Sequence, residues 1–104
     1  MERIRESTLQ ALADRLNKIT GSPTESWTKN GDGQYKANVG NYHIDHAYGG
    51  VSLERMMSDG GGVTCPLGLG HVSKRELYEQ IHAYIRGIEE GKRLCGVDPF
   101  KVEA

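Results

Sequence analysis

The sequence predicts an α+β fold of two layers, in which a small antiparallel sheet packs on two helices in the order α-β-β-β(-β)-α. Apolar residues recur at the helical period near both ends of the chain, and they alternate with polar residues in the middle, where glycine-rich turns separate the segments. The 104 residues fit one domain. We assign residues 1–91 to that domain and residues 92–104 to a C-terminal tail that is either disordered or docked.

The first helix is predicted over residues 3–19. Gly21 and Pro23 follow the last periodic residue and supply the stop signals. The residues at spacings of three and four, which should form its buried stripe, are Ile4, Thr8, Ala11, Leu12, Leu16 and Ile19.

Two hairpins are predicted after this helix. In the first, the turn of residues 30–33 (Asn-Gly-Asp-Gly) joins two short strands, with Trp27 and Tyr35 on the same side. In the second, residues 40–57 alternate around the turn Tyr48-Gly49-Gly50. We expect one sheet face to pack on the helices and the other to be partly solvated. Residues 63–65, closed by Pro66, predict a further short strand.

The second helix begins at a Ser-x-x-Glu capping box formed by Ser73 and Glu76, and Gly91 predicts its end. Its apolar stripe recurs at the helical period. The tail beyond it can dock through Phe100 and Val102. The predicted core consists of Ile4, Leu12, Leu16, Ile19, Trp27, Ile44, Val51, Leu53, Leu77, Ile81, Tyr84, Ile85 and Ile88.

Composition narrows the class of function. The net charge is −1, whereas a dedicated nucleic-acid module usually carries a basic excess. The charged opening of the chain predicts neither a signal peptide nor a membrane span, and two cysteines do not suggest a disulfide scaffold. We therefore expect a cytoplasmic protein with reduced thiols that does not act at a membrane.

The sequence predicts neither a metal site nor an enzyme. His43, His46, Cys65 and His71 are potential zinc ligands, but His43 and His46 lie three apart on a strand and should face opposite sides. No nucleophile lies in a recognisable elbow, and no acid pair has a diagnostic spacing. We expect no cofactor.

Two binding surfaces are candidates. Aromatic residues beside arginine are typical anchors of protein interfaces, which points to Trp27, Tyr42 and Arg55 as partner-binding residues, although they can equally fill the core. Lys74 and Arg75 lie in the first turn of the second helix, after a Gly-x-Gly run, where backbone amides bind anions. A flexible hairpin loop followed by an ordinary helix cap explains that second pattern better than an anion site does.

Two family resemblances bear on function. The Ala-Tyr-Gly-Gly turn at residues 47–50, the Gly-Gly-Gly-Val loop at 60–63 and the Lys-Arg-Glu-Leu-Tyr helix start at 74–78 resemble small uncharacterised proteins encoded by tailed phages and prophages. The run Gly-Leu-Gly-His-Val-Ser-Lys-Arg at residues 68–75 resembles the start of the last helix in double-stranded RNA-binding domains. That second resemblance implies phosphate contacts by Lys74 and Arg75, but its third basic position is Tyr78 here.

The leading hypothesis is therefore a non-enzymatic phage or prophage accessory protein. The phage resemblance implies that it acts in the cytoplasm of the host bacterium by binding a protein partner. The identity of that partner is unknown, and a host protein is one candidate. A homodimer is a further expectation. The alternative is a nucleic-acid-binding protein that uses the N-terminus of the second helix.

Overall fold

The predicted α+β architecture is confirmed by the computed structural model, which describes residues 3–68 and 70–95. The predicted tail residues Phe100 and Val102 lie outside the described residues. The helices and strands are α1 (Glu6–Thr20), β1 (Trp27–Lys29), β2 (Tyr35–Ala37), β3 (Tyr42–Ala47), β4 (Gly50–Met56), β5 (Val63–Thr64) and α2 (Lys74–Cys95).

The strands form two antiparallel sheets instead of one. β1 and β2 pair with each other, and β3, β4 and β5 form a separate three-stranded sheet with β4 in the centre. The β1–β2 register sets Trp27 against Ala37 and Lys29 against Tyr35, so Trp27 and Tyr35 share a face as predicted. The β3–β4 hairpin turns at Tyr48 and Gly49, whose φ values of 54° and 74° are those of a tight type I′ turn.

Helix α1 ends as predicted, and its buried stripe overlaps the predicted one only in part, at Leu12 and Leu16. Gly21 adopts a φ of 70° and caps the helix. The buried side chains are Leu9, Leu12, Ala13, Leu16 and Asn17, whereas Ala11, which was predicted to be buried, is exposed. The spacing of residues 9, 12, 13 and 16 satisfies the same helical period as the predicted set, so the period alone left the phase of the stripe open.

Helix α2 begins at the predicted capping box, where the Glu76 backbone N–H donates to Ser73 Oγ at 3.1 Å. The predicted end at Gly91 is wrong, because the helix continues to Cys95. Beyond Gly91, the Lys92 ammonium donates to the Ile19 carbonyl of α1, and this contact between the helices helps to hold the last turn in place.

The core lies between the helices and one face of the three-stranded sheet. Both helices cover that same face, so the domain has two layers. Trp27 was predicted to be buried but is 43% exposed, because its hairpin forms its own sheet away from this core. The side chains of the core cluster are Leu9, Leu12, Leu16, Tyr42, Val51, Leu53, Leu77, Ile81 and Ile85, with Ile4, Ile19, Ile44, Tyr84 and Ile88 packed at its edge.

Neither described helix combines the length with the apolar character that crossing a lipid bilayer requires.

Candidate functional site

A groove opens where the ends of the two helices meet the sheet. Its walls are residues 18–21 at the end of α1 and Tyr84, Ile88, Gly91 and Lys92 of α2, and its floor is Tyr42 of β3 and Arg55 of β4. We call it the helix-end groove. Its volume is about 710 Å³, within the range of pockets that bind small molecules or a few side chains of a partner.

The floor of the groove is an ordered network of rings and a guanidinium group. Tyr42 and Arg55 are directly paired across β3 and β4, so their side chains lie side by side on the same face. The Arg55 guanidinium lies 4.9 Å from the centre of the Tyr42 ring, and its Nε donates to the Gly40 carbonyl at 3.2 Å. The strand register and these contacts fix the direction of the guanidinium.

Two tyrosine hydroxyl groups meet in the same place. Tyr42 and Tyr84 contact edge to face, with ring centres 6.1 Å apart and hydroxyl oxygens 3.0 Å apart. Burial, the hydrogen bond with Tyr84 and the electrostatic interaction with Tyr84 raise the pKa of Tyr42 to about 12, against the opposing effect of Arg55. The Tyr42 phenol is therefore neutral at physiological pH. One hydroxyl of the pair donates to the other, and either of them can be the donor.

The lining of the groove is cationic. Lys18, Arg55 and Lys92 line it, and none of the described residues in its lining is acidic. The nearby carboxylates of Glu89 and Glu90 pair with Arg15 and Arg93, which are not among the lining residues. Lys18 and Lys92 also offset the partial negative charge at the C-terminal end of α1, and Lys92 does so by donating to the Ile19 carbonyl.

The structure brings together two of the three residues predicted to bind a partner. Tyr42 and Arg55 form the groove floor, although Tyr42 is only 2% exposed and lies on the helix-covered face. Trp27 lies elsewhere, with its indole against Gly61. Sequence reasoning missed the contribution of Tyr84, which it assigned to the core, and that of Lys92, which it placed beyond the helix.

The predicted anion site at the start of α2 is partly neutralised. The Lys74 ammonium lies 3.8 Å from a carboxylate oxygen of Glu6, and that same oxygen lies 3.3 Å from His46 Nε2. These side chains line a second, smaller cavity of about 390 Å³. Arg75 is half-buried. An acidic residue thus stands within the site that was expected to receive phosphate.

Comparison of the chain with protein-family models, with curated proteins and with solved structures finds no match.

Proposed function

We propose that this is a non-enzymatic binding protein whose helix-end groove holds a short segment of a protein partner, in which a carboxylate lies next to an apolar side chain. The observation that carries the proposal is the lining of the groove. Three cations and a pair of tyrosine hydroxyls converge there, beside isoleucine side chains and without an acidic residue among the described lining.

The chemistry of the groove matches such a segment in two ways. A guanidinium held in a fixed direction, as that of Arg55 is, binds a carboxylate through two parallel hydrogen bonds. The exposed parts of Ile19 and Ile88 offer an apolar contact beside it. Tyrosine and arginine together are the residues in which binding energy concentrates at protein interfaces.

The charge distribution favours a protein partner over a nucleic acid. Nucleic-acid binding depends on an extended basic surface that follows the phosphates, and this chain has a net charge of −1. The three cations of the groove are gathered in a concave pocket. Lys74, the predicted phosphate contact, is paired with Glu6.

The biological setting stays a prediction. An accessory role in a phage or prophage, in the cytoplasm of the host and toward a host protein, is supported by the family resemblance alone. The groove adds one testable property to that hypothesis, which is selective binding of segments that carry a carboxylate.

The test is a binding assay with an array of short fluorescent peptides in which Glu or Asp flanks Leu or Phe. A matched array carries Gln or Asn at the acidic positions. We expect the acidic peptides to bind at least about tenfold more tightly than their amide counterparts, because the amides lose the charge-assisted hydrogen bonds. Duplex RNA and duplex DNA are measured in parallel over a range of salt concentrations.

Variants locate the binding to the groove. Arg55→Gln should weaken binding at least about tenfold. Arg86→Gln removes an exposed cation of α2 that does not line the groove, so it is the matched control and should leave affinity unchanged. If Arg55→Gln alters the circular dichroism spectrum or the thermal transition, Lys18→Gln, at an exposed position of the groove wall, replaces it with the same expectation.

Equal affinity for acidic and amide peptides would refute the proposal, and so would equal losses in Arg55→Gln and Arg86→Gln. Tight duplex binding that falls steeply with salt and drops in Lys74→Ala would instead support the nucleic-acid alternative.

A further inference from the structure

Polar side chains converge on the sheet face that the helices leave uncovered. β3 presents His43 and Asp45 there, and β4 presents Glu54 directly opposite His43. His71, from the segment that precedes α2, reaches the same place. We call these four residues the sheet-face cluster; they are separate from the helix-end groove.

The cluster is held together at hydrogen-bonding distance. His71 Nε2 lies 2.7 Å from Asp45 Oδ2, and His43 Nε2 lies 3.2 Å from Glu54 Oε1. One donor atom each from Asp45, Glu54 and His71 lie within 4.8 Å of one another. The side chains of His43, Glu54 and His71 are 20%, 15% and 16% exposed and that of Asp45 is 40% exposed, so the site is partly desolvated and still open to solvent.

We propose that Asp45, Glu54 and His71 bind one divalent transition-metal ion of the zinc type, with His43 orienting the Glu54 carboxylate. Two carboxylates that share a partly desolvated site repel each other, and a cation between them removes that repulsion. A ligand set of one imidazole and two carboxylates suits zinc, whereas calcium and magnesium prefer oxygen ligands alone.

The separations of the donor atoms bracket those that this ion requires. Zinc lies about 2.0–2.2 Å from nitrogen and oxygen ligands, so ligands at tetrahedral corners are about 3.4 Å apart. The separations in the cluster run from 2.7 Å for the His71–Asp45 pair to an upper limit of 4.8 Å for the set. Three protein ligands leave a fourth position for water or a ligand of the ion.

His71 is positioned by contacts on the neighbouring residue and on its own ring. Val72 forms two backbone hydrogen bonds with Val51 of β4, of 2.8 and 2.9 Å, which attach this segment to the sheet. The Tyr48 ring contacts the His71 ring edge to face, with centres 5.5 Å apart. A ligand whose backbone and ring are both held loses little freedom when it binds an ion.

His43 and His46 lie on opposite faces of the sheet, as predicted, since His43 contacts Glu54 and His46 contacts Glu6 of α1. Asp45 and Glu54 share the face of His43. Their pairing with His71 depends on where the segment before α2 crosses the sheet.

The test uses the full chain without an affinity tag, treated with EDTA and desalted, with Zn²⁺ and Co²⁺ as probes. Equilibrium dialysis with elemental analysis measures stoichiometry and affinity, and the visible spectrum of the Co²⁺ form reports on coordination geometry. We expect one ion per chain. Asp45→Asn and Glu54→Gln, which keep the side-chain shape, should each weaken binding at least about tenfold.

His46→Gln is the matched control. It removes a histidine of the same strand whose side chain lies on the opposite face and pairs with Glu6, so it should leave metal affinity unchanged. Binding is compared only among variants whose circular dichroism spectra agree with the wild type, and His71→Gln is added if either carboxylate variant fails that criterion. Less than one ion per chain at saturating Zn²⁺ overturns the inference, and so does equal weakening in His46→Gln and the cluster variants.

Discussion

The buried amide of Asn17 gives the sharpest prediction about the stability of this fold. Asn17 is fully buried in α1, and its Nδ2 donates to the Tyr42 carbonyl at 3.0 Å while its Oδ1 accepts from the Tyr42 N–H at 2.7 Å. β3 is an edge strand, since the sheet order is β3-β4-β5. The side chain of Asn17 therefore takes the place of a neighbouring strand for both backbone groups of Tyr42.

Asn17→Ala leaves those two buried backbone groups without a partner. Each unpaired buried group costs about 1–3 kcal/mol, and water that enters the vacated space recovers part of that cost. We expect a loss of about 3 kcal/mol in the free energy of unfolding, which is a large share of the roughly 5–15 kcal/mol typical of a domain. For a domain of this size the melting temperature should fall by roughly 12–24 °C.

Asn17→Asp separates the electrostatic contribution from shape. Its carboxylate still accepts from the Tyr42 N–H, but a second oxygen then faces the Tyr42 carbonyl. Burial and this repulsion raise the pKa of the new carboxyl above its value of about 3.9 in the unfolded chain. The folded state then binds more protons than the unfolded state between the two pKa values, so the stability of this variant increases as the pH falls through that range.

Urea unfolding followed by far-ultraviolet circular dichroism, at neutral pH and at a series of lower pH values, measures both effects. Gln10→Ala is the control, because Gln10 is exposed on the same helix and bonds only the exposed Asp14 in the described structure. Its effect should stay within about 0.5 kcal/mol. A free energy of unfolding for Asn17→Ala within about 1 kcal/mol of the wild type, the effect of roughly one ordinary hydrogen bond, would show that Asn17 does not satisfy both backbone groups of Tyr42.

Three further predictions follow from particular contacts. In an alkaline titration one tyrosine should ionise at about pH 12, and this ionisation should be missing from the Tyr42→Phe variant. Because the pKa of tyrosine in the unfolded chain is about 10, the free energy of unfolding of the wild type should fall by up to about 3 kcal/mol between pH 10 and pH 12. An alkaline titration that is unchanged in Tyr42→Phe would contradict the assignment. Gly61→Ala places a Cβ 2.8 Å from Trp27 Cη2 at a φ of 99°, so it should destabilise by about 1–2 kcal/mol and shift tryptophan emission, while Gly60→Ala, with open space around it, should do neither. If the metal inference is correct, Zn²⁺ at about a hundredfold excess over its Kd should raise the free energy of unfolding by about 2.7 kcal/mol, and no thermal shift at saturation would contradict it.

Local signals predicted the elements of this fold. The two helices, the capping box at Ser73, the stop at Gly21 and the turn near Tyr48 follow from spacing and from backbone preferences that act over a few residues. The predicted end of α2 at Gly91 was wrong, because an isolated glycine costs only about 1 kcal/mol in a helix and packing can outweigh that cost.

Long-range contacts decided the candidate sites. Residues 42 and 84 meet in the helix-end groove, and residues 45 and 71 meet in the sheet-face cluster, across separations that no periodic pattern records. The sequence predicted Tyr42 and Arg55 as binding residues only because aromatic residues and arginine are typical of interfaces, and the register of the β3–β4 hairpin brings them together.

What the sequence by itself determined is therefore the kind and order of the elements, together with most of the apolar residues that they bury. The separation of the strands into two sheets, the phase of the α1 stripe and the composition of both sites were decided only in the tertiary structure. The physical reason is that hydrophobic burial is non-directional, so a pattern shows which side chains leave water but not which of them meet.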